Sequence, residues 1–436
     1  MQVMKWSVIA LAVAAGTTQM AVASSQSESK GFVEDSSFDI FNRALYMNRD
    51  FKHGASYEST ANDAKGDRKG YREDFGLGVR LMFESGFTQG TVGVGVDAHS
   101  LSSIKLDTGD GRQGNGLFAE NDLGEAEDTQ SEVGGAVKFR VSDSVLKYGN
   151  MMVDTPVFST DDSRILPEVA TGTLLTSDEI SGLTLTAGRF TALSSQTGTG
   201  RDGINGRNDD GVKNPGLTSA NIIGANYSFT DNFSGAVFFS DVEEHFKKRY
   251  LNLNYGQDLG NEQSFGLDFN YYRTTDDGQN RSGVIDNSIW SIAPSYAIGG
   301  HKFTVAYQKS NGDTGYVYGI DGGGAVYLNN SVQIGDYELK DEKSWQARYD
   351  LNMATFGVPG LSFMTRYITS TDIDGVRDAG AGDGKRHELN LESKYVIQEG
   401  AAKDLSFRVR HATYRANFGR DLNDTRLIIE YPLSVL

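Results

Sequence analysis

Cationic side chains recur at strand spacing in this chain, and they are the chemistry it has to offer. In Ser406-Phe407-Arg408-Val409-Arg410 an extended backbone sends Phe407 and Val409 to one face. Arg408 and Arg410 therefore share the other, about 7 Å apart. Neighbouring runs repeat the arrangement: Leu389, Leu391 and Tyr395 oppose Lys394, Phe363 and Tyr367 oppose Arg366, and Leu427, Ile429 and Tyr431 oppose Arg426. Arg72 and Arg80 share the less apolar face of an early run. A column of such groups in a narrow wet passage would lower the free energy of a carboxylate at each step without trapping it at any one. Arg suits this better than Lys, because its planar fork can hand a carboxylate from one bidentate contact to the next. A second reading is that these cations pair with acids on the same face, such as Glu392 and Asp350, and brace the wall.

Other chemistries are poorly served. The six His (His53, His99, His245, His301, His387, His411) never fall at metal or catalytic spacing. Gly322-Gly323-Gly324-Ala325 lacks the Lys-Ser/Thr and helix of a phosphate loop. Asp107, Asp110 and Asn115 miss the calcium-loop spacing and read as a solvated loop. With no Cys there is neither a disulfide framework nor a thiolate metal site. The expectation is a protein that is not an enzyme and uses no cofactor and no metal. A formal charge of -17 argues against a nucleic-acid partner, which wants a basic footprint.

The elements that must position the cations are strands. Hydrophobic residues make up 38% of the 436, and no stretch after the first segment approaches the roughly 20 apolar residues of a helical span. Twenty Tyr and 23 Phe, 52 Gly and only 6 Pro suit strands and turns. Alternation of period two runs through Phe75–Phe83, Val92, Val94 and Val96, Val137, Phe139 and Val141, Phe265 to Tyr271, Phe303 to Tyr307, and Trp345 to Leu351. Any half-buried strand alternates. Three details point to a membrane barrel. The apolar face is aliphatic in strand middles and aromatic towards strand ends. The opposite face carries charges such as Arg80, Lys138, Arg140, Arg348 and Asp350, which suit a wet lumen and not a dry core. Connections alternate between short turns (Thr230-Asp231-Asn232, Gly299-Gly300-His301, Val358-Pro359-Gly360) and long polar loops (104–130, 195–216, 311–335, 371–386).

At the N-terminus, Lys5 precedes an apolar run from Trp6 to Ala15, and Ala21-Val22-Ala23 offers a small-x-small cleavage site. Residues 1–23 are thus expected to be a signal peptide, and 24–436 an all-β, antiparallel transmembrane barrel of about 18 strands with long external loops folding into the pore. The expected location is the outer membrane. Expected partners are outer-membrane lipids, lipopolysaccharide and small anionic or zwitterionic solutes, with the chain a monomer or weak oligomer. A barrel hydrolase and a structural or adhesive barrel remain as alternatives, distinguished by hydrolysis that one His substitution abolishes and by an absence of conductance.

The chain resembles the OprD family of outer-membrane porins, also called outer-membrane carboxylate channels. The resemblance rests on Gly31-Phe32-Val33-Glu34-Asp35-Ser36, Asn48-Arg49-Asp50, Glu84 through Ala98, Gly134-Gly135-Ala136-Val137-Lys138, Ser163-Arg164-Ile165-Leu166-Pro167, Ser344 through Asn352, and Lys403 through Arg408. It implies a monomeric eighteen-stranded barrel whose inward loops form a constriction and whose basic ladder leads solute through. Carried over by position, the ladder is Arg49, Arg72, Arg164, Lys394, Arg408, Arg410 and Arg426, with Arg164 in a constricting loop around 155–175. Alternation independently turns five of these inward and adds Arg366; Arg49 and Arg164 rest on the resemblance. Family members that take basic amino acids carry an acid in the long loop before Asn330-Ser331-Val332-Gln333, where this chain reads Gly322 through Tyr327. A plain carboxylate is therefore the expected solute.

Overall fold

The computed structural model describes residues 24–436 apart from 53–69, 110, 122–124, 199, 201, 204–205, 208–212, 215–218, 320–323, 325 and 377–382. The expected signal peptide lies outside the described residues, as do Asp110 and most of the Gly322–Ala325 stretch.

Eighteen long strands make the barrel. They are β1 (Ser37–Phe51), β2 (Tyr71–Glu84), β3 (Gly93–Asp107), β4 (Thr129–Val141), β5 (Ser144–Met151), β6 (Val169–Ile180), β7 (Leu183–Ser194), β8 (Ala220–Thr230) and β9 (Phe233–Val242). The circuit continues through β10 (Phe246–Gly260), β11 (Gln263–Asp276), β12 (Asp286–Ile298), β13 (His301–Gly312), β14 (Lys343–Asn352), β15 (Leu361–Ile373), β16 (Gly384–Val396), β17 (Ser406–Ala416) and β18 (Leu422–Ser434). Each pairs antiparallel with the next. The sheet closes where β1 meets β18, from Asp39 opposite Ser434 to Phe51 opposite Leu422. Closure leaves no sheet edge and satisfies the backbone within the barrel wall, the condition for crossing lipid with strands.

Connections alternate in length around most of the barrel, although the external links 243–245 and 417–421 are short and the link 85–92 on the turn side is longer. One rim has tight turns at 142–143, 181–182, 231–232, 261–262 and 299–300, with 353–360 and 397–405 somewhat longer. The other carries the segments 52–70, 108–128, 152–168, 195–219 and 313–342. By the rule for such barrels the first rim faces the periplasm and the second the outside.

Alternation assigned the two faces correctly along most strands. Val133, Trp345, Leu391 and Val409 point outward and are exposed, Val133 by 69% and Trp345 by 56%. Gln308, Ser310, Ser344 and Gln346 point inward and are buried. The inner face is not polar everywhere. Leu45 and Met47 of β1 and Leu101 of β3 face inward and pack with Leu117, Phe118, Ile165 and Leu166. On the other side Phe190, Phe238, Tyr250 and Tyr272 pack with Val157, Phe158, Tyr316 and Leu328. These apolar inward positions are where external loops dock, so they bury surface that would otherwise meet water.

Candidate functional site

Three external segments fold into the barrel. The 108–128 segment was expected to be a solvated loop; instead Leu117 and Phe118 anchor it inside, and buried Asn115 donates from Nδ2 to Met47 O at 3.1 Å and from its backbone N–H to Asp74 Oδ2 at 2.9 Å. The constricting loop is 152–168, shorter than the expected 155–175 at its C-terminal end because β6 begins at Val169. It can approach the wall because β2 offers no side chain there. A Cβ on Gly78 would lie 2.2 Å from Ile165 O, and one on Gly76 would lie 2.7 Å from the Phe118 ring. Glycines inside a strand commonly mark such a close approach.

The loop is then fixed by charge. Arg80 donates to Asp162 from Nη1 and Nη2 at 3.0 and 2.6 Å, and from Nη2 to Ile165 O at 3.0 Å. Arg43 donates from Nε to Glu430 at 2.8 Å and from Nη1 to Asp162 at 2.8 Å and Arg164 O at 2.7 Å. Two cations here meet two acids, so this group is balanced and braces the constriction. The structure gives Arg80 that bracing part, and it adds Arg43, which sequence reasoning missed.

The segment 313–342 closes in from the opposite side. Arg386 of β16 donates from Nε and Nη2 to Glu342 at 2.7 and 2.6 Å, and from Nη2 to Glu338 at 3.1 Å. Glu342 is wholly buried. Lys248 holds the other end through Tyr316 Oη at 3.1 Å and Tyr318 O at 2.9 Å. Tyr272 joins the two constricting loops: its hydroxyl donates to Pro156 O at 3.0 Å and accepts from Tyr327 N at 3.2 Å.

The sequence-derived cations lie along one arc of the wall, from β14 through β18 to β2. Near the external end Arg49 stands directly opposite Arg72, whose Nη1 donates to Gly114 O at 2.7 Å. Arg164 reaches from the constricting loop, donating from Nε to Asn115 O at 2.9 Å. Its own burial, with repulsion from Arg49 and Arg426, pulls the Arg164 guanidinium down to about 10, still charged at neutral pH. Next, Arg426 stands opposite Arg410, and Arg408 opposite Lys394. Arg366 stands opposite Arg348 and donates from Nε to Asn390 Oδ1 at 2.6 Å. Arg366 and Arg426 are nearly buried, while Arg49, Arg408 and Arg410 keep a fifth to a quarter or more of their side chains exposed.

Glu392 and Asp350, the bracing acids named from sequence, are present, and the structure adds Asp424, which makes the count of charges decisive. Asp424 accepts from Arg49 Nε at 2.9 Å and from Arg426 Nε at 2.8 Å. Glu392 lies 3.1 Å from Arg410 Nε and 3.8 Å from Arg408 Nε. These last two are charge contacts and not hydrogen bonds, since neither Nε–H is aimed at an acceptor. Each acid is shared by two guanidinium groups, so each trio keeps one positive charge. Among the described residues Arg164 has no carboxylate within ion-pair reach, and Lys394 has no polar partner. Arg348 is matched by Asp350 at 2.8 and 2.7 Å. The arc as a whole is positive, whereas the brace at Asp162 is neutral.

Comparison with known proteins agrees with this architecture. Residues 30–435 match the family model for outer membrane porins of the OprD family. The chain is 46% identical to Porin D of Pseudomonas aeruginosa over all of both chains. The crystal structure of Pseudomonas aeruginosa OprD superposes with a TM-score of 0.77 at 41% identity, covering 96% of this chain and 100% of that one. That of Pseudomonas aeruginosa OpdK with vanillate superposes with a TM-score of 0.82 at 33% identity, covering 93% and 100%. These relatives are channels and not enzymes. This chain belongs to the OprD family of outer-membrane porins.

Proposed function

We propose that the protein carries small carboxylates through the outer membrane by passive diffusion along Arg49, Arg72, Arg164, Arg426, Arg410, Arg408, Lys394 and Arg366. One observation carries this reading: two guanidinium groups share each of Asp424 and Glu392, so the wall is braced and yet stays positive. A passing carboxylate can exchange one fork for the next with little change in free energy. The related OpdK holds vanillate, itself a carboxylate, which supports the same solute class here. No covalent step and no cofactor enter. Residues 1–23 would be removed on export, and the closed barrel would act as a monomer, each pore complete in one chain.

The acid at the head of the arc supplies a test. Asp424→Asn keeps the shape that Arg49, Arg426 and Gln333 contact while removing one negative charge. A unit charge about 4 Å from a solute is worth about 1 kcal/mol in water and acts with opposite sign on anion and cation, so the anion-over-cation permeability ratio is expected to shift by about 2 kcal/mol, on the order of thirtyfold. Reversal potentials under a salt gradient in planar bilayers measure it. An unchanged ratio would mean that solute does not pass this trio.

A further inference from the structure

Outside the lumen, the external ends of β10 to β14 carry a second set of cations. Arg249 stands directly opposite Arg273, and Lys309 directly opposite Lys343. All four continue the outward row, each two residues from an outward apolar or aromatic residue of its own strand (Leu251, Tyr271, Tyr307 and Trp345), and so point away from the pore. Like charges facing each other across a sheet destabilise it unless an anion lies between them. Protein acids answer only part of this. Asp286 pairs with Arg273, Asp372 with Lys343 at 2.9 Å, and Asp277 with neighbouring Lys247 at 2.6 Å. Asp241 lies opposite Lys247. Arg249 and Lys309 are left with no hydrogen-bond or ion-pair partner among the described residues, and Arg249 is exposed.

Their height on the barrel is fixed by aromatic rings. Phe269, Trp290, Tyr307 and Trp345 form a continuous outward chain, with ring centroids 6.4, 5.3 and 4.6 Å apart. Such a belt marks the boundary between hydrocarbon and headgroups. Lys309 lies beside Trp290 in register. Lys309 and Lys343 follow Tyr307 and Trp345 by two residues towards the outside, about 7 Å. The cations therefore stand at headgroup level in the outer leaflet. At the periplasmic ends of the same strands the outward positions are Tyr255, Phe265, Tyr296, Phe303 and Tyr349, with no cation. The asymmetry asks for an anionic headgroup on the external side alone.

We propose that Arg249 and Lys309, with Arg273 and Lys343 beside them, bind the phosphates of an outer-leaflet lipid, the lipid A part of lipopolysaccharide. The acyl chains would lie on the Trp290–Trp345 belt beneath. Arg and Lys at this level supply charge-assisted bonds to phosphate, and the rings supply the apolar floor.

The test uses the full chain purified in detergent and titrated with bisphosphorylated lipid A, with lipid A stripped of both phosphates, and with inorganic phosphate, read by native mass spectrometry. Bisphosphorylated lipid A is expected to remain bound. Arg249→Gln with Lys309→Gln should weaken it at least fivefold, and Arg249→Lys with Lys309→Arg should restore it. Single-channel conductance of all variants, reconstituted without lipid A, should match wild type, which also shows that they fold. Equal retention of dephosphorylated lipid A, equal binding by the Gln variant, or displacement of lipid A by millimolar inorganic phosphate would each overturn the proposal.

Discussion

Replacing Arg408 and Arg410 together by Ala is expected to abolish the anion preference of the lower part of the pore. The two guanidinium groups share Glu392 and stand beside Lys394, so the local charge passes from two positive to none. Two unit charges, each about 4 Å from a passing solute, amount to about 2 kcal/mol in water, close to thirtyfold in the permeability of an anion relative to a neutral solute at low salt. The effect should shrink as ionic strength rises and the Debye length falls towards about 10 Å at 0.1 M. Adding Glu392→Gln to the pair leaves Lys394 unopposed and should recover part of the loss. If the double variant kept its reversal potential and its carboxylate uptake, the arc would be a brace and not a path.

The second large effect is expected at the anchor of the 313–342 segment. Arg386→Met removes the cation that meets wholly buried Glu342, leaving an uncompensated charge in a dry place, which costs about 3–5 kcal/mol. The loop is the part that can yield, because the barrel strands keep their own ladders. Conductance should therefore rise severalfold and become noisy, and limited proteolysis should cut within 313–342 of the detergent-solubilised protein. Arg386→Met with Glu342→Gln, which leaves no wholly buried orphan charge and only the less buried Glu338 without its cation, should behave closer to wild type. Unchanged conductance in the single variant would mean that this loop does not narrow the pore.

What could be read from the sequence follows from what each strand faces. In the first half of β17, Phe407 and Val409 meet lipid while Arg408 and Arg410 meet the lumen, so polarity alone reported the direction of those four side chains, whereas Tyr414 further along faces inward and is buried. In β1 the inward residues include Leu45, Met47 and Phe51 beside Arg43 and Arg49. Because both faces are partly apolar there, alternation could not orient Arg49, and Arg43 passed unnoticed. Docked loops cause this mixture, since Ile165 and Leu166 must meet apolar partners inside the barrel. A trace of the docking was legible in Gly76 and Gly78, glycines within a strand where a side chain would strike the loop. The sharing of Asp424 between Arg49 and Arg426 was not legible, because those residues are brought together only by the closure of β1 on β18.

A single comparison tests the carboxylate path most directly: entry of a small monocarboxylate and of its amide, equal in size and differing in charge, into liposomes carrying the wild-type protein. A positive path that hands the solute between guanidinium groups requires the carboxylate to enter about fivefold faster or more at low salt, the worth of at least one unit charge at close range. Equal rates, or faster entry of the amide, would contradict it and leave a pore that selects by size alone.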